Sequence, residues 1–315
     1  MKAIGGYPEL ELPSGCEYHA DALRLNTARN ALECALRARG YKKIYLPRYT
    51  CEALYEPLDR LNIKREFYGI DLRLDPSEMP DLHDGEAIIY TDYFGIKGDT
   101  MRRLAGIYGG RLIADNAQAF YARPLAGTDT IYSPRKFFGV ADGGYLYTDA
   151  VIDTGFPRDE SYARMTAQLK RADLSAEAGY EDFRQAENQL CCQEIKEMSD
   201  LTRKILSSAA YDAVREKRVR NYRMLHERLG ERNAFDAALP AGAVPMAYPF
   251  YSDYSALRER LVREKIFVPL YWPNVLEETA EDSAEHKLAR HMLALPVSQT
   301  CGESDMKRII EVIVR

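Results

Sequence analysis

Short runs of β-branched and aromatic residues alternate with helix-patterned stretches through the first half of this chain, and that alternation limits the fold more than any other feature. The extended runs fall at 43–46, 65–68, 86–91, 111–114, 129–132 and 144–147, with helical patterns near 27–39, 50–61 and 99–108. Strand, crossover helix and strand in succession predict an α/β layer: a mostly parallel central sheet with helices on both faces. Sheets of this kind bind ligands in the crevice beyond the carboxyl ends of their strands. Asp115 and Ser133 each follow one of the runs directly, which places both where chemistry is expected.

From about 155 to 230 the pattern turns helical and densely charged, with apolar stripes at Ala186, Leu190 and Ile195 and at Tyr211, Val214 and Val219. An Ala-, Gly- and Pro-rich stretch over 241–245 reads as a connector. Beyond it the pattern predicts a small α/β unit, with strands near 246–250, 266–270 and 293–297 and a helix near 253–264. A closing helix from about 303 to 313 has Ser304 as its expected cap. The 315 residues are thus read as a large domain over 1–205 and a smaller C-terminal α/β domain over 206–315.

Composition removes several function classes. Forty-three basic against forty-eight acidic residues give a net charge of −5, without the basic surplus that sequence-independent nucleic-acid binding needs. No apolar run is long enough to span a bilayer, and the opening segment through Tyr7 is too polar and Gly-rich for a secretory signal. Six cysteines follow no framework or zinc spacing, so free thiols in a reducing cytoplasm are expected; the adjacent Cys191 and Cys192 read as small buried apolar residues. No metal is expected: His286 and His291, five apart, face different sides of a helix. Surface or capping roles are expected for His19 and His83, with a catalytic base as the alternative. The dinucleotide, P-loop and nucleophile-elbow glycine motifs are all absent.

Three segments remain. The turn from Leu25 to Leu32 opens a helix that Asn26 or Thr27 can cap and Gly40 can end; its first amides form a phosphate seat, or it is simply a capped helix. The run from Leu112 to Ala119 is an apolar strand with a carboxylate, Asp115, at its carboxyl end, where Asp also serves as a plain helix cap. In the third, Lys136 leaves a strand end beside Phe137 and Phe138, before Gly143 and Gly144. The flanking bulk is expected to desolvate its amine and lower its pKa, although a surface lysine would read the same way. Taken together, a phosphate seat, a carboxylate and a desolvated lysine are what pyridoxal 5′-phosphate requires.

The order and wording of these segments resemble the fold type I pyridoxal-phosphate enzymes, and more closely the DegT/DnrJ/EryC1/StrS group of sugar aminotransferases. The resemblance is carried by Thr27 to Leu32, by Asp115-Asn116-Ala117-Gln118-Ala119, and by Lys136 with Gly143-Gly144. It is firm over roughly 20–150 and looser through Arg218, Asn221 and Leu295-Pro296. It implies that Lys136 holds the cofactor aldehyde as a Schiff base and shuttles the proton. It also implies that Asp115 pairs with the pyridine nitrogen and that Gln118 meets the ring 3-oxygen. Ala28, Arg29 and Asn30 would offer amides to the phosphate. Ser133, three before the lysine, matches the phosphate-binding serine of the wider fold, whereas the sugar aminotransferases more often place it five before, where this chain has Ile131. Either Cys51 or Tyr49 lies on the ring face. No arginine is identifiable as a donor-carboxylate clamp; Arg135 and Arg48 are candidates by proximity. The resemblance further implies a homodimer, with 180–208 as part of its interface or simply as cover for the sheet, and Trp272 lining the cleft or packing in the core. The expected reaction moves an amino group from glutamate or glutamine to a keto sugar. Elimination or epimerisation on the same scaffold, or a non-catalytic binding protein, is the alternative.

Overall fold

The computed structural model describes residues 4–254 and 256–315. The first three residues of the opening segment lie outside the described residues, as does Ser255, inside the helix expected at 253–264. The first half contains β1 (Leu23–Leu25), α1 (Ala28–Arg39), β2 (Lys43–Pro47), α2 (Tyr55–Arg60), β3 (Lys64–Tyr68), β4 (Glu86–Thr91), α3 (Gly98–Tyr108), β5 (Leu112–Asn116), β6 (Asp129–Tyr132) and β7 (Gly144–Tyr147). The helices α4 (Thr166–Asp173), α5 (Tyr180–Gln189), α6 (Asp200–Ser207) and α7 (Tyr211–Leu229) follow. The chain closes with β8 (Ala247–Tyr251), α8 (Leu257–Arg263), α9 (Pro273–Glu278), α10 (Ala284–His291), β9 (Met292–Pro296) and α11 (Glu303–Val314). No helix among the described residues is long and apolar enough to cross a membrane.

Seven strands form one sheet in the order β1-β7-β6-β5-β4-β2-β3. The pairings from β3 through β2, β4 and β5 to β6 are parallel; β7 runs antiparallel to β6, and β1 antiparallel to β7. Every residue of β5 is buried, as a parallel strand covered on both faces must be. Leu112 and Ala114 enter one core with Met101 and Leu104 of α3, while Ile113 enters the other with Ala31, Leu32 and Leu36 of α1. The period-two alternation of side chains thus sorts one short strand between two helical layers.

The junction of α1 with β7 is a close approach of backbone to backbone. Gly143, at φ +123, donates its N–H to the Asn26 carbonyl at 2.6 Å and bridges Thr27. A Cβ at Gly144 would stand 2.3 Å from the backbone C and O of Thr27. Asp142, fully buried, accepts from the Ser199 amide and hydroxyl and from the Thr202 hydroxyl, which fixes this loop to the first turn of α6.

The second half departs from the sequence expectations at four points. The segment 266–270 is not a strand. Its alternation is real, with Ile266 and Val268 buried and Phe267 exposed. However, Pro269 has no N–H and the Ile266 amide is spent on the Leu261 carbonyl at the end of α8, so no ladder forms and the small sheet has only β8 and β9. The cap of α11 is Gly302, whose N–H is taken by Asp305, and Ser304 lies inside the helix. The expected stripe on α7 is borne out only in part: Tyr211 and Val214 are half-buried against the core, and the fully buried residues are Arg218, Asn221, Tyr222, Leu225 and Leu229. Cys191 and Cys192 are exposed, because they follow the end of α5 instead of riding its packed face.

His19 was expected at the surface or as a cap. It is buried, with its Nε2 2.7 Å from the Phe120 carbonyl and Nδ1 3.1 Å from the Tyr147 hydroxyl. Burial pushes its pKa down to about 4. The neutral ring is therefore favoured by folding: the stability it supports is complete above the ordinary pKa of about 6.5 and is lost as pH falls towards 4. Denaturant titrations should find the advantage of the native chain over His19→Gln shrinking by roughly 2 kcal/mol between pH 7 and pH 4; an unchanged difference would contradict the neutral assignment. For the α1–β7 junction, Gly144→Ala should cost about 3 kcal/mol, the upper range of core overpacking. Gly40→Ala, at φ 65 with open space around it, should cost only about 1 kcal/mol.

Candidate active site

The carboxyl ends of β4, β5 and β6 converge on a cavity of about 170 Å3. The parallel register sets Thr91 beside Asp115 and Asp115 beside Ile131, so these three positions lie in one row across the sheet. Ser133 follows β6, and a 3-10 turn over Pro134–Lys136 delivers Lys136 one turn later. Three residues per turn bring positions 133 and 136 onto the same side. Among the described residues Lys136 is the only lysine in the cavity wall, and Asp115, Gln118, Ser133, Ala28, Arg29 and Cys51 share that wall with it.

Asp115 is buried, with one hydrogen bond to each oxygen. The Thr91 hydroxyl donates to Oδ2 at 2.9 Å and the Ala117 amide to Oδ1 at 2.9 Å. Burial pushes its pKa up, and the charge of Lys136 and the two hydrogen bonds pull it back. Lys136 itself is exposed, not desolvated as expected. Phe137 and Phe138 turn their rings into the core with Phe120, and so do not cover the amine. Burial raises the Cys51 thiol, while Lys136 lowers it.

The helix α1 opens on this cavity. Thr27 caps it by accepting the Asn30 amide at 3.0 Å. The Asn30 side chain donates to Asn26 and to the Glu194 carbonyl. Asn30 is therefore consumed by the cap and lies outside the cavity wall, which leaves the amides of Ala28 and Arg29, the first two of a helix, as the ones without a partner in it. Gln118 anchors the next wall: its Oε1 accepts the Phe94 amide at 2.7 Å, and its buried Nε2 has no partner. The Thr50 hydroxyl, also in the wall, is buried and unpartnered.

The remaining candidates divide. Tyr49 does not reach the cavity. It is fully buried against Tyr93 and Trp272, and Cys51 lines the wall two residues on. Trp272 both packs in the core and lines the cavity. Arg135 lines it and pairs with Glu187. Arg48 is exposed, its guanidinium 5.9 Å from the Phe67 ring centre, and is not in the wall. His83 is a surface residue. Sequence reasoning missed Thr91, Thr50 and Glu187. Thr91 was legible as the polar end of an apolar strand, but Glu187 reaches the site only through tertiary packing.

A buried carboxylate, a nearby amine, two open helix amides and an unpartnered amide donor can grip a small planar anion that carries an electrophile at one end and a basic nitrogen at the other. Pyridoxal phosphate has that form, and the orphaned Gln118 Nε2 and the helix amides fit it. A larger cavity of about 370 Å3 uses Asn116 and Asp92 as wall, and burial pushes Asp92 up to about 7. Among the described residues its wall has no lysine.

No protein-family model matches the chain, and no curated protein matches it. Solved structures do. A DegT DnrJ EryC1 StrS aminotransferase from Brucella abortus aligns with a TM-score of 0.62 and 17% identity over 93% of this chain and 85% of its own. The sugar aminotransferase CalS13 from Micromonospora echinospora aligns with a TM-score of 0.60 and 16% identity, over 93% and 87%. The GDP-4-keto-6-deoxymannose-3-dehydratase ColD, solved with GDP-perosamine, aligns with a TM-score of 0.61 and 14% identity, over 93% and 88%. The seven-stranded sheet and its helices therefore have the fold type I architecture of these proteins.

Proposed function

We propose that this chain is a pyridoxal-phosphate-dependent aminotransferase that moves an amino group from glutamate or glutamine to a keto sugar, most simply one carried on a nucleotide. The observation that carries the reading is the meeting of Lys136, Asp115 and the open end of α1 in one cavity at the carboxyl edge of the sheet. The shared fold with sugar aminotransferases supports it.

In this reading Lys136 Nζ holds the aldehyde end of the cofactor, and Asp115 accepts the hydrogen of the ring nitrogen. Gln118 Nε2 donates to the 3-oxygen, and Cys51 lies against the ring. The amides of Ala28 and Arg29, with the Ser133 hydroxyl, hold the phosphate. The bound group supplies an electrophilic carbon for amines and a ring that accepts electrons. With the cofactor bound, Lys136 Nζ would also serve as the base in the same cavity that holds and moves the proton of the donor Cα. A positive charge on the ring nitrogen would favour the ionised form of Asp115 and offset the cost of its burial.

The chain divides in this reading near 205, where α6 ends the large domain and α7 opens the small one. Exposed Leu169, Leu174, Tyr180 and Phe183 on and beside α4 and α5 support a homodimer built across that face. Six free cysteines support a cytoplasmic protein. A second reading, dehydration of a keto sugar, draws support from the shared fold with ColD. The product separates the two: transfer leaves an amino group on the sugar, whereas dehydration removes a hydroxyl and leaves none.

Borohydride reduction and peptide mapping should place the cofactor on Lys136, and Lys136→Ala should lose the imine absorbance while staying folded; label on another lysine would refute the assignment. Asp115→Asn should retain cofactor yet lower turnover roughly 100- to 1000-fold, the size of losing one preorganised charge partner.

A further inference from the structure

The larger cavity, of about 370 Å3, plays no part in the chemistry above. Side chains alternate along β5, so Asp115 faces the smaller cavity and Asn116 the larger one. Its volume falls in the range of small-molecule sites, about 300 to 1,000 Å3. The floor is built from acceptors. Asn116 is 3% exposed, and its Oδ1 is buried without a partner. The neighbouring Tyr132 hydroxyl gives its hydrogen to the Ala122 carbonyl at 2.9 Å and so has none for Asn116 Oδ1. Asp92, just past β4, is also buried. The Lys97 amide donates to its Oδ1 at 2.6 Å, and no hydrogen bond reaches Oδ2 among the described residues. Burial pushes Asp92 up to about 7; Lys97 and Arg102 pull it down, and Asp115 adds to the rise. Near neutral pH the floor therefore accepts hydrogen bonds while carrying only part of a negative charge.

The mouth is cationic. Arg102 of α3, Arg123 of the loop before β6 and Arg215 of α7 are exposed and line the same cavity. Arg102 pairs with Asp99, which also lines it, and Arg215 pairs with Asp212. Both pairs are exposed, so they exchange partners at little cost. Arg123 has no hydrogen-bonded or ionic partner among the described residues. We propose that this cavity is a second ligand site, and that it takes a sugar phosphate. Sugar hydroxyls donate to Asn116 Oδ1 and Asp92 Oδ2 at the floor, and Arg123 holds the phosphate at the mouth together with Arg102 and Arg215. A buried acceptor left unpaired is costly, so the floor calls for a head that donates, and a polyhydroxylated ring offers several donors at once. Forked guanidinium donors match a phosphate monoester. Inorganic phosphate would leave the floor unsatisfied, and a neutral sugar would leave the mouth unused. The site lies outside the Lys136 cavity and does not depend on the aminotransferase reading.

The test is calorimetric titration of glucose 6-phosphate, glucose and inorganic phosphate. The protein is first loaded with pyridoxal phosphate and reduced with borohydride, so that the phosphate seat at α1 is filled. Glucose 6-phosphate should bind at least about 10-fold more tightly than either fragment, the sum of a charge-assisted contact and a neutral one. Arg123→Gln, an exposed substitution that leaves the core untouched, should weaken both glucose 6-phosphate and inorganic phosphate roughly 10-fold. Asn116→Ala should weaken glucose 6-phosphate about 5-fold and leave inorganic phosphate unchanged. Should Asn116→Ala fail to fold, Arg123→Gln and Arg215→Gln still decide the matter. Glucose 6-phosphate binding that neither arginine variant weakens would overturn the proposal, as would no binding at all. Equal affinity for glucose 6-phosphate and inorganic phosphate would reduce the cavity to a site for an adventitious ion only and overturn the sugar assignment. Tighter binding of uridine monophosphate than of glucose 6-phosphate would assign the cavity to a nucleotide and overturn it likewise. If borohydride traps no cofactor, the aminotransferase reading fails, while the dependence on Arg123 and Asn116 still decides this one.

Discussion

A carboxylate buried at the end of β5 is the constraint around which this site is arranged. Taking Asp115 out of water is costly unless its oxygens are satisfied. The sheet satisfies them locally, through Thr91 on the neighbouring parallel strand and through the Ala117 amide of its own turn. Parallel register makes the first bond possible, because Thr91 and Asp115 are paired positions. The second fixes the turn that carries Gln118. Each oxygen keeps capacity for another partner, and the charge of Lys136, in the same cavity wall, favours the ionised form of Asp115.

The opposite wall depends on close approach and not on charge. Two glycines let β7 press against the start of α1, and Asp142 binds the same loop to α6. Asn26 does comparable work from the other side: it donates to the Glu194 carbonyl and accepts the Lys196 amide, so the segment before α6 is laced to the cap of α1. Three stretches distant in sequence thereby hold two helix amides in place. A helix end can bind an anion tightly only if its backbone does not move to do so, and this junction supplies that rigidity.

Much of the first half was legible because its signals are local. The buried run at 112–116 and the periodic stretches at 28–39 and 98–108 announce strand and helix from a few consecutive residues, and Thr27 and Gly40 mark the ends of α1 by ordinary capping chemistry. Failures came where the outcome depended on a partner elsewhere. The alternation over 266–270 was a true burial pattern with no strand to pair with. His19 could not be recognised as buried without Phe120 and Tyr147, over a hundred residues away. The aromatics beside Lys136 were correctly seen as bulk, but which way they point is decided by the core and not by adjacency.

The looser match at Arg218 and Asn221 has a physical explanation in the same terms. Arg218 is buried on the core face of α7 without a carboxylate partner among the described residues; its nitrogens donate to Gln299 and to the carbonyls of Pro245 and Met246, and its guanidinium carbon lies 4.4 Å from the Phe137 ring centre. Gln299 in turn donates to the Phe137 carbonyl at 2.6 Å. The peptide just after Lys136 is thus gripped by two residues from the C-terminal part of the chain. Burial pushes Arg218 down to about 10, so it keeps its charge at neutral pH, and carbonyl dipoles with an aromatic face solvate it in place of a counter-ion. An ion pair there would fix only two side chains. A guanidinium shared among backbone carbonyls fixes the backbone itself, and through it the point from which Lys136 projects.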